Sequence, residues 1–195
     1  MKSFVYLKAV VIVHGKSEKQ ICQHIKNKLR LKIEIISDKN GEKAIQITSL
    51  SNLLKNKIFI NSSSFINTYE DIELNHDNKS INDNFKIFII MDTDDCSDLQ
   101  KKQFINKDMF KDHWAYKFIV PIYNTPELET ILTKAKVPFT RTGVKRKKEY
   151  IKLFPTDEKY EKNDVIQIEE LIRQLSKIKD TNLEEFLKFC LNATD

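Results

Sequence analysis

Glycine and proline are scarce in this chain, with three of the first and four of the second among 195 residues. That excludes collagen-like, linker-rich and low-complexity architectures, which use those residues freely. Cysteine is scarce as well: Cys22, Cys96 and Cys190 are odd in number and lack Cys-x-x-Cys spacing. A disulfide framework and a structural zinc knuckle are thereby excluded, and reduced thiols in a cytoplasmic protein are expected. No apolar run approaches the ~20 residues that cross a bilayer, so no membrane association is expected. The N-terminal apolar segment is interrupted by Lys8 and flows into a helix, unlike a signal peptide. A strong charge of one sign is missing too. The formal net charge of +5 is a modest excess, compatible with a nucleic-acid partner without requiring one.

Hydrophobic residues, by contrast, make up 41% of the chain, enough for a real core and against global disorder. The length fits one domain. The apolar pattern reads as strand over 4–13, helix over 18–29, strand over 32–36, turn over 38–41 and short helix over 44–54. Ser17 is the expected cap of the first helix, with Ile21, Ile25 and Leu29 on its inner face. Residues 61–84 are polar and read as an insertion or mobile loop, with at most a short helix near 65–69. A strand over 86–91 follows, then helix over 98–110, a strand over 116–121 ended by Pro121, and helix over 127–135 opened by Pro126. Residues 147–153 suit a short helix. Two amphipathic helices are expected over 165–178 and 182–191, the first with Ile166, Ile168, Leu171, Ile172 and Leu175 inward and the second with Leu183, Phe186, Leu187 and Cys190 inward. Strands alternating with helices predict an α/β fold: a central, mostly parallel, Rossmann-like sheet flanked by helices.

The segment KIFIIMDTDD, residues 86–95, organises the rest. Five unbroken apolar residues suit a strand buried on both faces. It ends in Asp92, Asp94 and Asp95, where a parallel sheet collects its ligands. In an extended segment Asp92 and Asp94 project the same way. Two carboxylates so aimed repel unless a proton or cation lies between them, and oxygen ligands suit Mg²⁺ or Mn²⁺. Taken alone, Asp-Thr-Asp-Asp is more often a solvated turn with a helix N-cap. The other motif, HGKSEK at 14–19, follows the first strand. It contains Gly-Lys-Ser, but a Walker A loop needs a glycine at position 10, which is Val10.

Taken together, these motifs resemble the Toprim domain, the metal-binding module of topoisomerases, bacterial primases, OLD-family nucleases and some RNA-processing enzymes. Its signature is a buried strand ending in Glu-Gly, then a helix, then a later strand ending in Asp-x-Asp. The pattern is most similar to RloB-like and related phage-defence proteins, through HGKSE at 14–18 and NTPELE at 124–129. The resemblance covers roughly residues 8–135. It implies a Toprim core over about 4–135, the polar insertion 61–84, and a basic, helical C-terminal extension over 136–195.

It also implies a Mg²⁺- or Mn²⁺-dependent nuclease acting on RNA or DNA. The catalytic set would be His14, Glu18, Asp92, Asp94 and Glu129, with Asp92, Asp94, Glu18 and Glu129 as metal ligands. Gly15, Asp95 and Asn124 would support them. His14 departs from the family, which carries glutamate there. Three consequences fit: His14 substitutes functionally, Glu18 supplies the carboxylate, or the site is weakened. Lys16 and the basic run Arg141, Lys145, Arg146, Lys147 and Lys148 are candidate phosphate contacts. A run of this kind is more often a solvated charged face. The competing expectation is a catalytically weakened module that binds nucleic acid or a partner ATPase, or self-associates. An aspartyl-phosphate enzyme with Asp92 as nucleophile ranks last.

Overall fold

The computed structural model describes residues 5–77, 79–142, 150–152 and 164–193. Its centre is a four-stranded sheet of β1 (Ala9–Val13), β2 (Ile33–Ile36), β3 (Lys86–Asp92) and β4 (Ile119–Asn124), in the order β2-β1-β3-β4. All three pairings are parallel. The helices are α1 (Lys16–Lys28), α2 (Leu50–Leu54), α3 (Ser62–Thr68), α4 (Asp98–Ile105), α5 (Leu128–Lys134), α6 (Asp164–Leu175) and α7 (Leu183–Asn192). This is the α/β, Rossmann-like sandwich that the alternating pattern predicts.

The period of two explains the continuous apolar runs. Ala9, Val11, Val13, Phe88 and Ile90 face one core, with Ile21 and Ile25 of α1, Ile131 of α5, Leu171 of α6 and Phe186 of α7. Val10, Ile12, Ile87, Ile89 and Met91 face the other, with Leu50 and Leu54 of α2, Phe65 of α3 and Phe104 of α4. Each residue of β1 is fully buried, so alternation of polar and apolar residues is forbidden there.

Several expectations need correction. The polar stretch 61–84 is not a loose insertion. Asn61 caps α3 through Ser64 N, and Phe65, wholly buried, packs on Phe59, Tyr69, Phe85 and Trp114. Ile72 then pairs with Leu7, and Leu74 with Ile81. A few apolar anchors among many polar residues suffice to tie it down. Pro121 does not end its strand but sits in the middle of β4. β4 is an edge strand, and the Pro121 carbonyl accepts from Asn182 Nδ2, away from β3. The missing N–H therefore falls on the outer edge, where the sheet needs no donor.

The helix expected over 98–110 stops at Ile105. Lys107 adopts φ 68°, and a separate 3₁₀ turn covers Asp108–Phe110. Residues 150–152 form strand β6 (Tyr150–Lys152), antiparallel to β5 (Thr140–Thr142), where a helix was expected. The C-terminal helices are part of the core, with the Phe88 ring 5.1 Å from Phe186 and 4.9 Å from Phe189. Ile166 is the exception on α6, 54% exposed instead of inward.

Candidate active site at the carboxyl edge of the sheet

From β1 the chain crosses to β2 on one side, and β3 lies on the other. Divergent connections of this kind leave a crevice beyond the strand ends, where parallel α/β sheets place ligands. His14 follows β1, Asp92 ends β3, and Asn124 ends β4. Glu18 lies in the first turn of α1 and Glu129 in the first turn of α5.

His14 is held by its backbone and its ring. Its N–H donates to Ile90 O at 2.9 Å, and its carbonyl accepts from Ile45 N at 2.8 Å. Nδ1 lies 3.0 Å from Ile45 O. A carbonyl only accepts, so Nδ1 carries the proton, and in the neutral ring Nε2 is left as an acceptor.

Gly15, and not Ser17, caps α1. The Gly15 N–H donates to Glu18 Oε2 at 2.9 Å, so the third helical residue satisfies the cap backbone. A Cβ at position 15 would stand 3.3 Å from that oxygen, so glycine gives the carboxylate room to fold back. Gly41, at φ +87°, brings its turn against the Lys16 backbone, where a Cβ would sit 3.0 Å from Lys16 Cα. Glycine meets both demands there.

Glu18 is buried, and burial pushes its carboxyl up to about 7, helped by the nearby Glu129 charge. Asp92 is buried too. Desolvation and then the Glu18 charge push it up to about 8, against the opposing pull of His14 and Asn124. Asp92 Oδ1 accepts from Asn124 Nδ2 at 3.2 Å and from Leu128 N at 3.1 Å. Glu129 is half-buried, with Oε1 3.5 Å from Ser17 Oγ. Its charge raises both Glu18 and Asp92.

The strand-end geometry thus gathers His14, Glu18, Asp92, Asn124 and Glu129. It treats the other aspartates differently. Extended structure stops at Asp92, where Thr93 N turns in to Asn124 O and Pro126 O, and Asp94 stands exposed on the turn. The same-side projection of Asp92 and Asp94 therefore does not occur. Asp95 is half-buried, near enough to His14 for that ring to oppose the rise in its pKa. Among the described residues its two carboxylate oxygens are buried without a hydrogen-bond partner, and burial raises its pKa. Lys16 opens α1 and is half-buried, while Arg141 lies in β5. Lys145, Arg146, Lys147 and Lys148 lie outside the described residues.

Pattern reading missed Ile45, which acts through its backbone, and Thr181 and Asn182, which come from far along the chain. Thr181 Oγ1 donates to Asn124 Oδ1 at 2.9 Å, and Asn182 Oδ1 accepts from Tyr123 N at 2.9 Å. The available signal was a Thr-Asn pair before a helix, which reads as a cap and nothing more.

Three carboxylates are the donor chemistry of a hard divalent cation. Among the described residues, no group of three His, Cys, Asp or Glu side chains is placed to enclose an ion as it stands. No helix among the described residues is long and apolar enough to cross a membrane. Comparisons with protein-family models, curated proteins and solved structures find no match to this chain.

Proposed function

We propose that the chain is a divalent-metal-dependent nuclease of Toprim type, hydrolysing phosphodiester bonds of RNA or DNA with Mg²⁺ or Mn²⁺. The observation that carries this reading is the burial of Glu18 and Asp92 beside Glu129 at the ends of β1 and β3. Mutually repelling carboxylates held out of water are costly, and a cation offsets that cost. The phage-defence setting rests on the motif resemblance alone.

In this reading Asp92 offers Oδ2, because Oδ1 is held by Asn124 and Leu128. Glu18 offers Oε1, because Oε2 serves the Gly15 N–H. Glu129 completes the set, and Asp94 adds an exposed carboxylate at the mouth. A cation bound there supplies Lewis-acid polarisation and charge neutralisation of a phosphodiester. His14 Nε2 accepts a proton from the attacking water, in the role the family gives to glutamate. Lys16 offsets phosphate charge, and the basic run from Arg141 to Lys148 tracks the backbone.

The test is cleavage of RNA and DNA panels with Mg²⁺ or Mn²⁺. Cleavage is expected to vanish in Asp92→Ala and in chelator. Cleavage that persists in either contradicts the reading. A second reading has its own support: His14 stands where the family has a carboxylate, and no ready ion-enclosing group is present among the described residues. That favours a weakened module that binds nucleic acid or a partner ATPase. Nucleic-acid binding equal with and without metal, with no turnover even in His14→Glu, would select it.

A further inference from the structure

The C-terminal segment 180–182 lies along the outer edge of β4, beyond the strand ends that form the candidate site. Thr125 N donates to Asp180 O at 2.9 Å, Asn124 and Thr181 form an antiparallel bridge, and Asn182 bonds both Tyr123 N and Pro121 O. Covering an exposed edge is an ordinary structural role. One side chain in the segment does something the edge does not need.

Thr181 is 4% exposed and Asn124 wholly buried. Leu183 N lies 3.1 Å from Thr181 Oγ1. A backbone N–H can only donate, so Thr181 Oγ1 accepts there. The hydroxyl proton is then free to point at Asn124 Oδ1, 2.9 Å away. An amide that accepts on its oxygen must present its nitrogen on the other side. Asn124 Nδ2 accordingly faces Asp92 Oδ1 at 3.2 Å. The chain of donors runs one way, from the Leu183 N–H through Thr181 and Asn124 to Asp92. Turned over, the amide would set its oxygen against the Asp92 carboxylate and would take from the buried Thr181 hydroxyl proton the acceptor it has in Asn124 Oδ1.

We propose that Thr181 is a positioning residue for Asp92: it fixes the orientation of the Asn124 amide, which pins Asp92 Oδ1 and leaves Oδ2 as the ligating atom. The role rests on the cation reading above for its consequence, but not for its geometry. Residues that orient a metal ligand through a hydrogen bond typically change affinity by about 10–100-fold when removed.

Two measurements on the full chain separate the proposal from the reading it rests on. The first is Mn²⁺ calorimetry on wild type, Thr181→Val, Thr181→Ser and Asp92→Asn. Thr181→Val, close in shape but without the hydroxyl, is expected to weaken Mn²⁺ by about 10–100-fold. Thr181→Ser, which keeps the hydroxyl, is expected to restore affinity to within a few-fold of wild type. The second is the NMR signal of the Asn124 side-chain NH₂, recorded without metal. It is expected to be shifted and protected from exchange in wild type and Thr181→Ser, and to lose both features in Thr181→Val. The dispersed backbone spectrum of each variant verifies folding, and a collapsed Thr181→Val spectrum moves the comparison to Thr181→Ala.

Wild-type affinity in Thr181→Val, beside lost affinity in Asp92→Asn, overturns the positioning role and leaves the cation reading standing. No Mn²⁺ binding in any form overturns the cation reading, and the Asn124 signals then decide the positioning role alone. Unchanged Asn124 signals in Thr181→Val overturn that role whatever the metal does. Equal loss in Thr181→Ser and Thr181→Val also overturns it, because general packing would then be the cause.

Discussion

The interiors of β1 and β3 and the ends of the same strands obey opposite rules. Inside, every side chain from Ala9 to Val13 and from Ile87 to Met91 is apolar and buried, and each removes area from water. One residue past Met91, and in the first turn of the helix that follows β1, burial continues but the chemistry reverses. Asp92 is buried with two hydrogen bonds on one oxygen, and Glu18 is buried against the α1 cap. The interior stabilises the fold. The ends cost stability and are retained in a place where a parallel sheet binds ligands. Fold and site are thus adjacent segments of the same strands, distinguishable by whether removing the side chain weakens the protein or strengthens it.

The largest expected effect is on the interior side. Phe65→Ala removes a wholly buried ring from a cluster of five aromatics and is expected to cost about 3–5 kcal/mol in urea unfolding. A cost under about 1 kcal/mol, the size of an ordinary surface change, would mean that residues 61–84 fold apart from the core.

The next effect has the opposite sign. The native carboxyl of Asp92 is raised to about 8 from an ordinary 3.8, so the folded state binds the proton more tightly than the unfolded state. That contribution is fully present below pH ~4 and is lost as pH rises through 8. Metal-free wild type should therefore lose stability across that window. Asp92→Asn keeps an acceptor for Asn124 and Leu128, cannot ionise, and should flatten the slope. At pH 8 in chelator it should be more stable than wild type by on the order of a few kcal/mol. An unchanged slope would place the charge cost elsewhere.

Glu18→Gln repeats the experiment with a smaller effect. Its carboxyl is raised to about 7 from 4.5, so its share of stability is lost between those values and is gone by pH 8. The variant should gain less than Asp92→Asn. The two gains should also fall short of additive, because the Glu18 charge is part of what raises Asp92. Strict additivity would mean that the two carboxylates do not sense one another. The smallest effect is expected at Ile166, which belongs by sequence to an inward face but is 54% exposed. Ile166→Gln should change stability by less than about 0.5 kcal/mol.

The interior was the legible part of the sequence. Runs such as AVVIV and KIFII admit few structures other than doubly buried strands, and the inward positions Leu183, Phe186, Leu187 and Cys190 of α7 all proved buried. Where reading failed, tertiary context decided the outcome. Pro121 reads as a strand end until β4 is known to be an edge, and residues 61–84 read as an insertion or mobile loop until the four ring partners of Phe65, from Phe59 to Trp114, are assembled around it. At the site, strand-end carboxylates were legible because composition changes abruptly there. Asp94 was misread because nothing local shows that extension stops at Asp92. Ile45, Thr181 and Asn182 were invisible because their roles depend on backbone groups and on contacts between residues 31 to 61 positions apart.

The most direct test is Mn²⁺ titration calorimetry at pH 7.5 on wild type and Asp92→Asn, in two buffers of different ionisation enthalpy. A cation among carboxylates that hold protons near neutrality must displace them. Saturable binding in the wild type, with proton release and loss of binding in Asp92→Asn, is the predicted result. Absence of binding with and without added nucleic acid, or binding of equal strength in Asp92→Asn, would contradict the claim that these strand ends are built for a cation.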